Sequence, residues 1–203
     1  MLDRVSAGAG CGLVGAVCVM RYLAEEGRIT TDLFPFRAGE PMEKDEYREL
    51  CQSLQRSYLP VLPYFGMNGI VLAFGVNRLL RKTRSPYRAR WCTSARRFTE
   101  RMADMLDRDI PVVFSAGPNF PFLLGRRKLK LYRRMPDGEI RRTGAVKAHY
   151  MIATALSAGW ITVSSWGREY LVDQEEFLHY MKHVSAPFLS NLLYIKERQK
   201  RRP

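Results

Sequence analysis

The sequence predicts an α+β fold, with helices in the first half of the chain and an antiparallel sheet in the second. Before residue 110, apolar residues recur at helical spacing or form continuous apolar segments. After residue 110, short runs rich in branched and aromatic residues alternate with glycine-containing turns, as strands do. No linker long enough to divide the chain separates the halves, so we expect a single domain over 1–203. It is predicted to comprise a helical lobe at about 1–109, a sheet lobe at about 110–197 and a basic tail at 198–203.

Four helices are predicted in the first half. The first begins near Cys11, after a turn of small residues, and runs to about residue 25. It is apolar on every side as far as Met20, and a helix of that kind is normally buried all round. The other three are predicted over residues 42–58, 68–81 and 93–107.

Strands dominate the second half. Turn residues at Pro136-Asp137-Gly138 and at Ser157-Ala158-Gly159 separate two pairs of them. The predicted strands span residues 110–116, 128–134, 139–144, 148–156, 160–166, 168–173 and 191–197. One short amphipathic helix is predicted over 174–181, and residues 117–128 are predicted to form a loop.

The composition indicates a folded, strongly basic protein. Lysine and arginine total 33 and aspartate and glutamate total 20, which gives a formal net charge of +13. A charge of this size attracts anions such as nucleic acid, acidic peptides or anionic wall and lipid polymers. Apolar residues make up 46% of the chain, enough to bury a core, so a disordered chain is excluded.

The cysteines indicate a reducing compartment. Cys11, Cys18, Cys51 and Cys92 include no C-x-x-C pair, so neither a zinc ribbon nor a redox motif is indicated. On one helix Cys11 and Cys18 would lie about 10 Å apart, too far for a disulfide. We therefore expect four reduced thiols and a cytoplasmic location.

Residues 5–20 carry no charge, which raises the question of a membrane span or signal peptide. Sixteen residues fall short of the ~20 needed to cross a bilayer. Met1–Arg4 is not a basic leader and the segment is rich in glycine, so it is a poor signal sequence. We expect no transmembrane segment, with secretion as the alternative.

Cys11 is the first candidate for chemistry. A thiol in the first turn of a helix lies where unpaired N–H groups and the helix dipole favour negative charge, and such thiols act as nucleophiles. The alternative is a purely structural role, in which Cys11 is a small residue in a tightly packed, glycine-rich helix. His149, at the head of an apolar strand, is the matching candidate base, because an imidazole can accept the thiol proton.

The other two histidines, His179 and His183, lie in or near the predicted late helix. Their i, i+4 spacing could ligate a metal, but no acidic or sulfur partner has suitable spacing. We interpret them as surface or packing residues and expect no metal and no organic cofactor.

The next strand carries Ser164-Ser165-Trp166-Gly167. The order of a cysteine on a helix, a histidine 138 residues later and a polar residue just ahead of Trp-Gly resembles the papain-like cysteine peptidases. The phrase GCGLVGAVCVMRYL, together with the strand–turn–strand pattern that follows the histidine, is similar to the C39-like branch of that superfamily.

The resemblance implies a bilobed fold, in which the buried nucleophile helix of the helical lobe is packed on the C-terminal antiparallel sheet. It implies that Cys11 attacks an amide carbonyl, that His149 serves as base and then acid, and that Ser164 orients His149 at the position of the family's Asn. Trp166 takes the place of the tryptophan that shields this hydrogen bond, and Ser165 is the rival to Ser164. The family's oxyanion-hole Gln falls at Val5, so Ser6 is the substitute donor that we consider.

A basic segment offers a different reading. The segment 125–134 interleaves cations with Leu and Tyr on a predicted hairpin that could lie along a phosphate backbone, and its candidate contacts are Arg126, Arg127, Lys128, Arg133 and Arg134. The alternative is a solvated hairpin face. No helix-turn-helix, RNA-recognition or zinc-finger pattern indicates sequence reading.

Two functions follow. The first is a cysteine hydrolase, expected to be a peptidase, whose partner is a peptide or other amide substrate. The second is a non-catalytic binding module on the same fold, which binds polyanions through its basic surface.

Overall fold

The computed structural model describes residues 10–30, 42–61, 67–122 and 125–198, and they form helices and antiparallel sheets. The predicted α+β class is thereby confirmed. The chain divides into two compact units, one of residues 1–90 with 195–203 and one of residues 91–194.

The division falls near residue 90, whereas the sequence places the boundary between the lobes at about 110. The difference arises from one helix, Phe98–Asp107, which belongs to the second unit. Its Phe98 ring lies 6.3 Å from the ring of Phe114 and 4.7 Å from that of Phe177, measured between centroids. These two rings come from a strand and a helix of the second unit, so burial of Phe98 assigns the helix to the sheet.

Three helices form the described core of the first unit, close to the predicted positions. They are α1 (Cys11–Glu25), α2 (Lys44–Ser57) and α3 (Gly69–Lys82). Helix α1 contacts both of the others. Its Leu13, Val17, Met20 and Leu23 are at most 1% exposed, as expected for a helix that is apolar on every side.

The strand Tyr87–Trp91 (β1) was not predicted from the sequence. It forms a two-stranded sheet with the last strand, Leu193–Glu197 (β8). The segment YRARW alternates apolar and charged residues, and its buried and exposed positions alternate in the same way. Two arginines in five residues hide this alternation from a search for apolar runs.

The second unit contains a six-stranded sheet and two helices. The strands are β2 (Val112–Ala116), β3 (Leu129–Arg134), β4 (Ile140–Val146), β5 (His149–Ser157), β6 (Trp160–Ser165) and β7 (Arg168–Asp173). They are ordered β2-β5-β6-β7-β3-β4, and neighbouring strands pair antiparallel in the part of the sheet that the structure describes. The helices are α4 (Phe98–Asp107) and α5 (Gln174–His183). This agrees with the predicted strands and late helix to within a few residues.

Within the described ranges, no helix has the length and hydropathy that a membrane crossing requires. The helix that includes most of the charge-free stretch, α1, has 15 residues.

Candidate functional site

Cys11 is the first residue of helix α1, as the sequence predicts. Gly10, which has no side chain to cap the helix, occupies the N-cap position. The N-cap carbonyl accepts the N–H of Val14, which closes the first turn. Cys11 is half-buried and belongs to the first turn of the helix.

The other three thiols lie in different surroundings. None of the four cysteines is in a disulfide. Burial raises the pKa of Cys18, and it raises the pKa of Cys51 to about 11. The Tyr47 hydroxyl lies 3.6 Å from the Cys18 sulfur, and Cys92 is 1% exposed. These thiols are therefore suited to packing rather than to nucleophilic attack.

His149 is the first residue of β5, and the backbone ahead of it is held at several points. His149 is paired with Ala116 of the edge strand β2. The carbonyl of Gly117 accepts the Tyr180 hydroxyl at 2.7 Å and the Ala148 N–H at 3.4 Å. Sequence reasoning missed both Gly117 and Tyr180, because a glycine and a tyrosine with no local motif carry no signal of this role.

The imidazole of His149 contacts the hydroxyl of Ser165. Nε2 lies 2.7 Å from the serine Oγ, and Ser165 is 8% exposed. Either the ring N–H donates to the hydroxyl or the hydroxyl donates to the ring nitrogen. A fixed hydrogen bond at Nε2 sets the orientation of the ring. Nδ1 is then the ring nitrogen that this hydrogen bond does not use.

Ser165, the rival, therefore replaces Ser164 as the hydroxyl next to His149. Successive side chains of a strand point to opposite faces of the sheet. Ser164 is paired with Ile152 in the neighbouring strand and is exposed, whereas Ser165 is buried. His149 lies three residues before Ile152, an odd interval, and so shares the face of Ser165 rather than that of Ser164.

The indole of Trp166 stacks on the imidazole. The two ring centroids are 4.3 Å apart and the rings are within 10° of parallel. Trp166 remains 63% exposed. The Tyr170 ring lies nearly perpendicular to the indole, with 6.1 Å between the ring centroids. The indole thus covers one face of the imidazole.

The backbone that delivers this tryptophan is strained. Ser165 is paired with Arg168, so Trp166 and Gly167 form a two-residue hairpin turn. Both have positive φ, 50° for Trp166 and 69° for Gly167, as in a type I′ turn. Such turns favour Asn or Gly at the first position, and a bulky residue there costs about 1–3 kcal/mol. A strained tryptophan beside a histidine is an observation that favours function over packing.

Burial lowers the pKa of His149 from 6.5 to about 4. The cause is desolvation, which disfavours the charged imidazolium. At neutral pH the imidazole is therefore neutral and able to accept a proton. A thiolate close to the ring would act in the opposite direction, since negative charge favours the imidazolium.

Other predicted residues have the following positions. Cys11 belongs to the first unit, while His149, Ser165 and Trp166 belong to the second. Ser6, the proposed donor, lies outside the described residues, as does Val5.

The basic segment is exposed at every predicted position. Arg126, Arg127, Lys128, Arg133 and Arg134 are all exposed, and none of them forms an ion pair within the described ranges. The last two lie on β3, next to the edge strand β4.

His179 and His183 are exposed on helix α5, with ring centroids 4.7 Å apart. The part of the chain that the structure describes contains no group of three or more side chains that could together hold a metal ion.

Comparison with known proteins adds nothing to this geometry: no family model, no curated protein and no solved structure matches the chain.

Proposed function

We propose that this protein is a cysteine hydrolase of the papain-like type, in which Cys11 is the nucleophile and His149 the base. The observation that carries the proposal is the arrangement around His149. A buried hydroxyl lies 2.7 Å from Nε2 and an indole covers the ring. Together they orient a neutral imidazole and keep water from its hydrogen bond, which is what a base in thiol catalysis requires.

The reaction proposed is cleavage of an amide bond in a peptide. His149 takes the proton of the Cys11 thiol through Nδ1, and the sulfur attacks the carbonyl carbon. The backbone N–H of Cys11 donates to the developing oxyanion. The imidazolium then protonates the leaving amine, which departs and leaves a thioester. Water, deprotonated by His149, attacks the thioester, and the carboxylic acid and the free thiol are released.

Ser165 acts in this scheme as a positioning residue. Its oxygen accepts the Nε2–H of His149, which fixes the tautomer whose Nδ1 carries the lone pair. A hydroxyl is a weaker acceptor than a carboxylate, so it orients the ring while adding little to its basicity. Trp166 excludes water from this bond.

The test measures how far the reactivity of the Cys11 thiol depends on His149. Alkylation by iodoacetamide at pH 6 is followed peptide by peptide with mass spectrometry. Few ordinary thiols are ionised at that pH, because their pKa is ~8.5. We expect Cys11 to react about tenfold or more faster than the buried Cys18 and Cys51, and His149→Ala to remove most of that advantage.

His179→Ala is the matched control, because it removes an exposed imidazole from helix α5. It should leave the Cys11 rate unchanged. Equal rates for Cys11 and an added exposed control thiol, unaffected by His149→Ala, would contradict the proposal and favour the binding module.

A further inference from the structure

A cavity of about 590 Å³ in the first unit is lined by none of the candidate catalytic residues. Its volume lies in the range of about 300–1,000 Å³ that is usual for small-molecule sites. Helix α3 and strands β1 and β8 form its walls. The lining includes Phe74, Asn77, Arg81, Arg88, Glu197 and Arg198.

Positive charge dominates the lining. Arg81, Arg88, Lys196 and Arg198 are all exposed, and Glu197 is the one carboxylate of the described lining. Within the described residues, none of the four cations forms an ion pair. Guanidinium groups bind phosphate oxygens in pairs, so three arginines at one cavity suit a phosphate better than a simple anion.

An exposed aromatic ring completes the lining. Phe74 is 60% exposed, although large apolar side chains are normally buried. Phe74 and Arg81 are seven residues apart on α3, two helical turns, and so lie on one face of the helix. An aromatic ring beside arginines is the combination on which nucleic-acid bases stack while their phosphates are neutralised.

Asn77 holds the walls of the cavity in place. Its Nδ2 donates to the carbonyls of Ala73 at 2.8 Å and Ala89 at 2.6 Å, and its Oδ1 accepts the Ala89 N–H at 2.9 Å. The amide thus joins α3 to β1. The N–H of Arg198 donates to the carbonyl of Pro86 at 2.7 Å, so Arg198 is held beside the residue that precedes β1. Walls fixed in this way need little ordering when a ligand binds.

We propose that this cavity is a nucleotide-phosphate site: Phe74 stacks on the base, and Arg81, Arg88 and Arg198 bind the phosphate. The ligand is a free nucleotide or a nucleotide unit of a single strand, which present the same ring and phosphate. The site is independent of the cysteine chemistry proposed above.

Binding of AMP to the whole chain is measured by equilibrium dialysis at low salt. We expect saturable binding that Arg88→Gln weakens about tenfold, as loss of a charge-assisted hydrogen bond should. Phe74→Ala should weaken it about fivefold or more, as loss of a stacking ring does. The matched control is Arg78→Gln, which removes an exposed charge of the same helix whose guanidinium lies over the Tyr58 ring and does not line the cavity.

Competition experiments test whether the site recognises both the base and the phosphate, and whether the ligand is a free nucleotide or part of a strand. Adenosine and inorganic phosphate should each displace AMP about tenfold less well than AMP itself, because each lacks one of the two parts. Displacement by 5′-phosphorylated dA5 at lower concentration than AMP assigns the site to a strand, and weaker displacement assigns it to the free nucleotide. Three results would overturn the proposal: AMP binding that does not saturate, displacement of AMP by phosphate as effective as that by AMP itself, or an equal loss of AMP affinity in Arg78→Gln and Arg88→Gln.

Discussion

The hydroxyl of Ser165 and Nε2 of His149 lie 2.7 Å apart, on neighbouring strands of the sheet. Trp166, the next residue along the chain, stacks on the same imidazole. A single strand end and its turn therefore supply both the polar partner and the apolar cover of the candidate base.

Replacing Ser165 with Ala should slow alkylation of Cys11 at pH 6 about fivefold, the effect of losing a hydrogen bond worth ~1 kcal/mol. Ser164→Ala is the matched control: the same change one residue earlier, on an exposed side chain, should leave the rate unchanged. If the two variants behave alike, Ser165 does not position the imidazole.

Replacing Trp166 with Asn should change the His149 pKa while leaving stability nearly constant. Asparagine relieves a backbone strain of about 1 kcal/mol. It also loses a ring contact of similar size, so the free energy of unfolding should change by less than about 1 kcal/mol. Removing the indole exposes the imidazole, so its pKa should rise from about 4 toward 6.5 in an NMR titration.

Ala158→Asn is the control for Trp166→Asn. Ala158 has φ of 50° in the equivalent turn between β5 and β6, and Gly159 follows it. This variant should raise the free energy of unfolding by about 0.5–1 kcal/mol and leave the His149 titration as it is. If the His149 pKa is also unchanged in Trp166→Asn, the indole is not what buries the imidazole.

Stability should fall as the pH drops from 6.5 to about 4. The folded-state pKa of His149, about 4, lies below the unfolded value of 6.5. In this window the unfolded chain binds a proton that the folded chain does not, so acid favours unfolding. Urea denaturation at several pH values should show a shallower fall for His149→Gln, and parallel profiles for the two proteins would contradict the assignment.

Gly117→Ala should destabilise the protein by about 1–3 kcal/mol, the usual cost of overpacking. A Cβ at Gly117 would lie 2.8 Å from backbone atoms of Leu189, which cannot move aside as a flexible side chain can. At Gly144 the atom nearest to an added Cβ is the Cβ of Leu131, 4.0 Å away, so Gly144→Ala should be neutral within about 0.5 kcal/mol. Thermal unfolding of the two variants compares their stabilities.

Much of the local structure follows from the sequence alone. An apolar segment too short to span a membrane indicated a buried helix, and its start at Cys11 followed from the small residues before it. Glycine-containing turns marked the hairpins. These features depend on periodicity and turn chemistry, which act over a few residues.

The tertiary structure decided what depends on distant residues. The choice between Ser164 and Ser165 required the pairing of Ser164 with Ile152, because a shift of one residue exchanges the two faces of a strand. The assignment of the helix Phe98–Asp107 to the sheet required the rings of Phe114 and Phe177. The pKa of His149 likewise depends on burial by segments far along the chain, and burial is a property of packing that local periodicity does not contain.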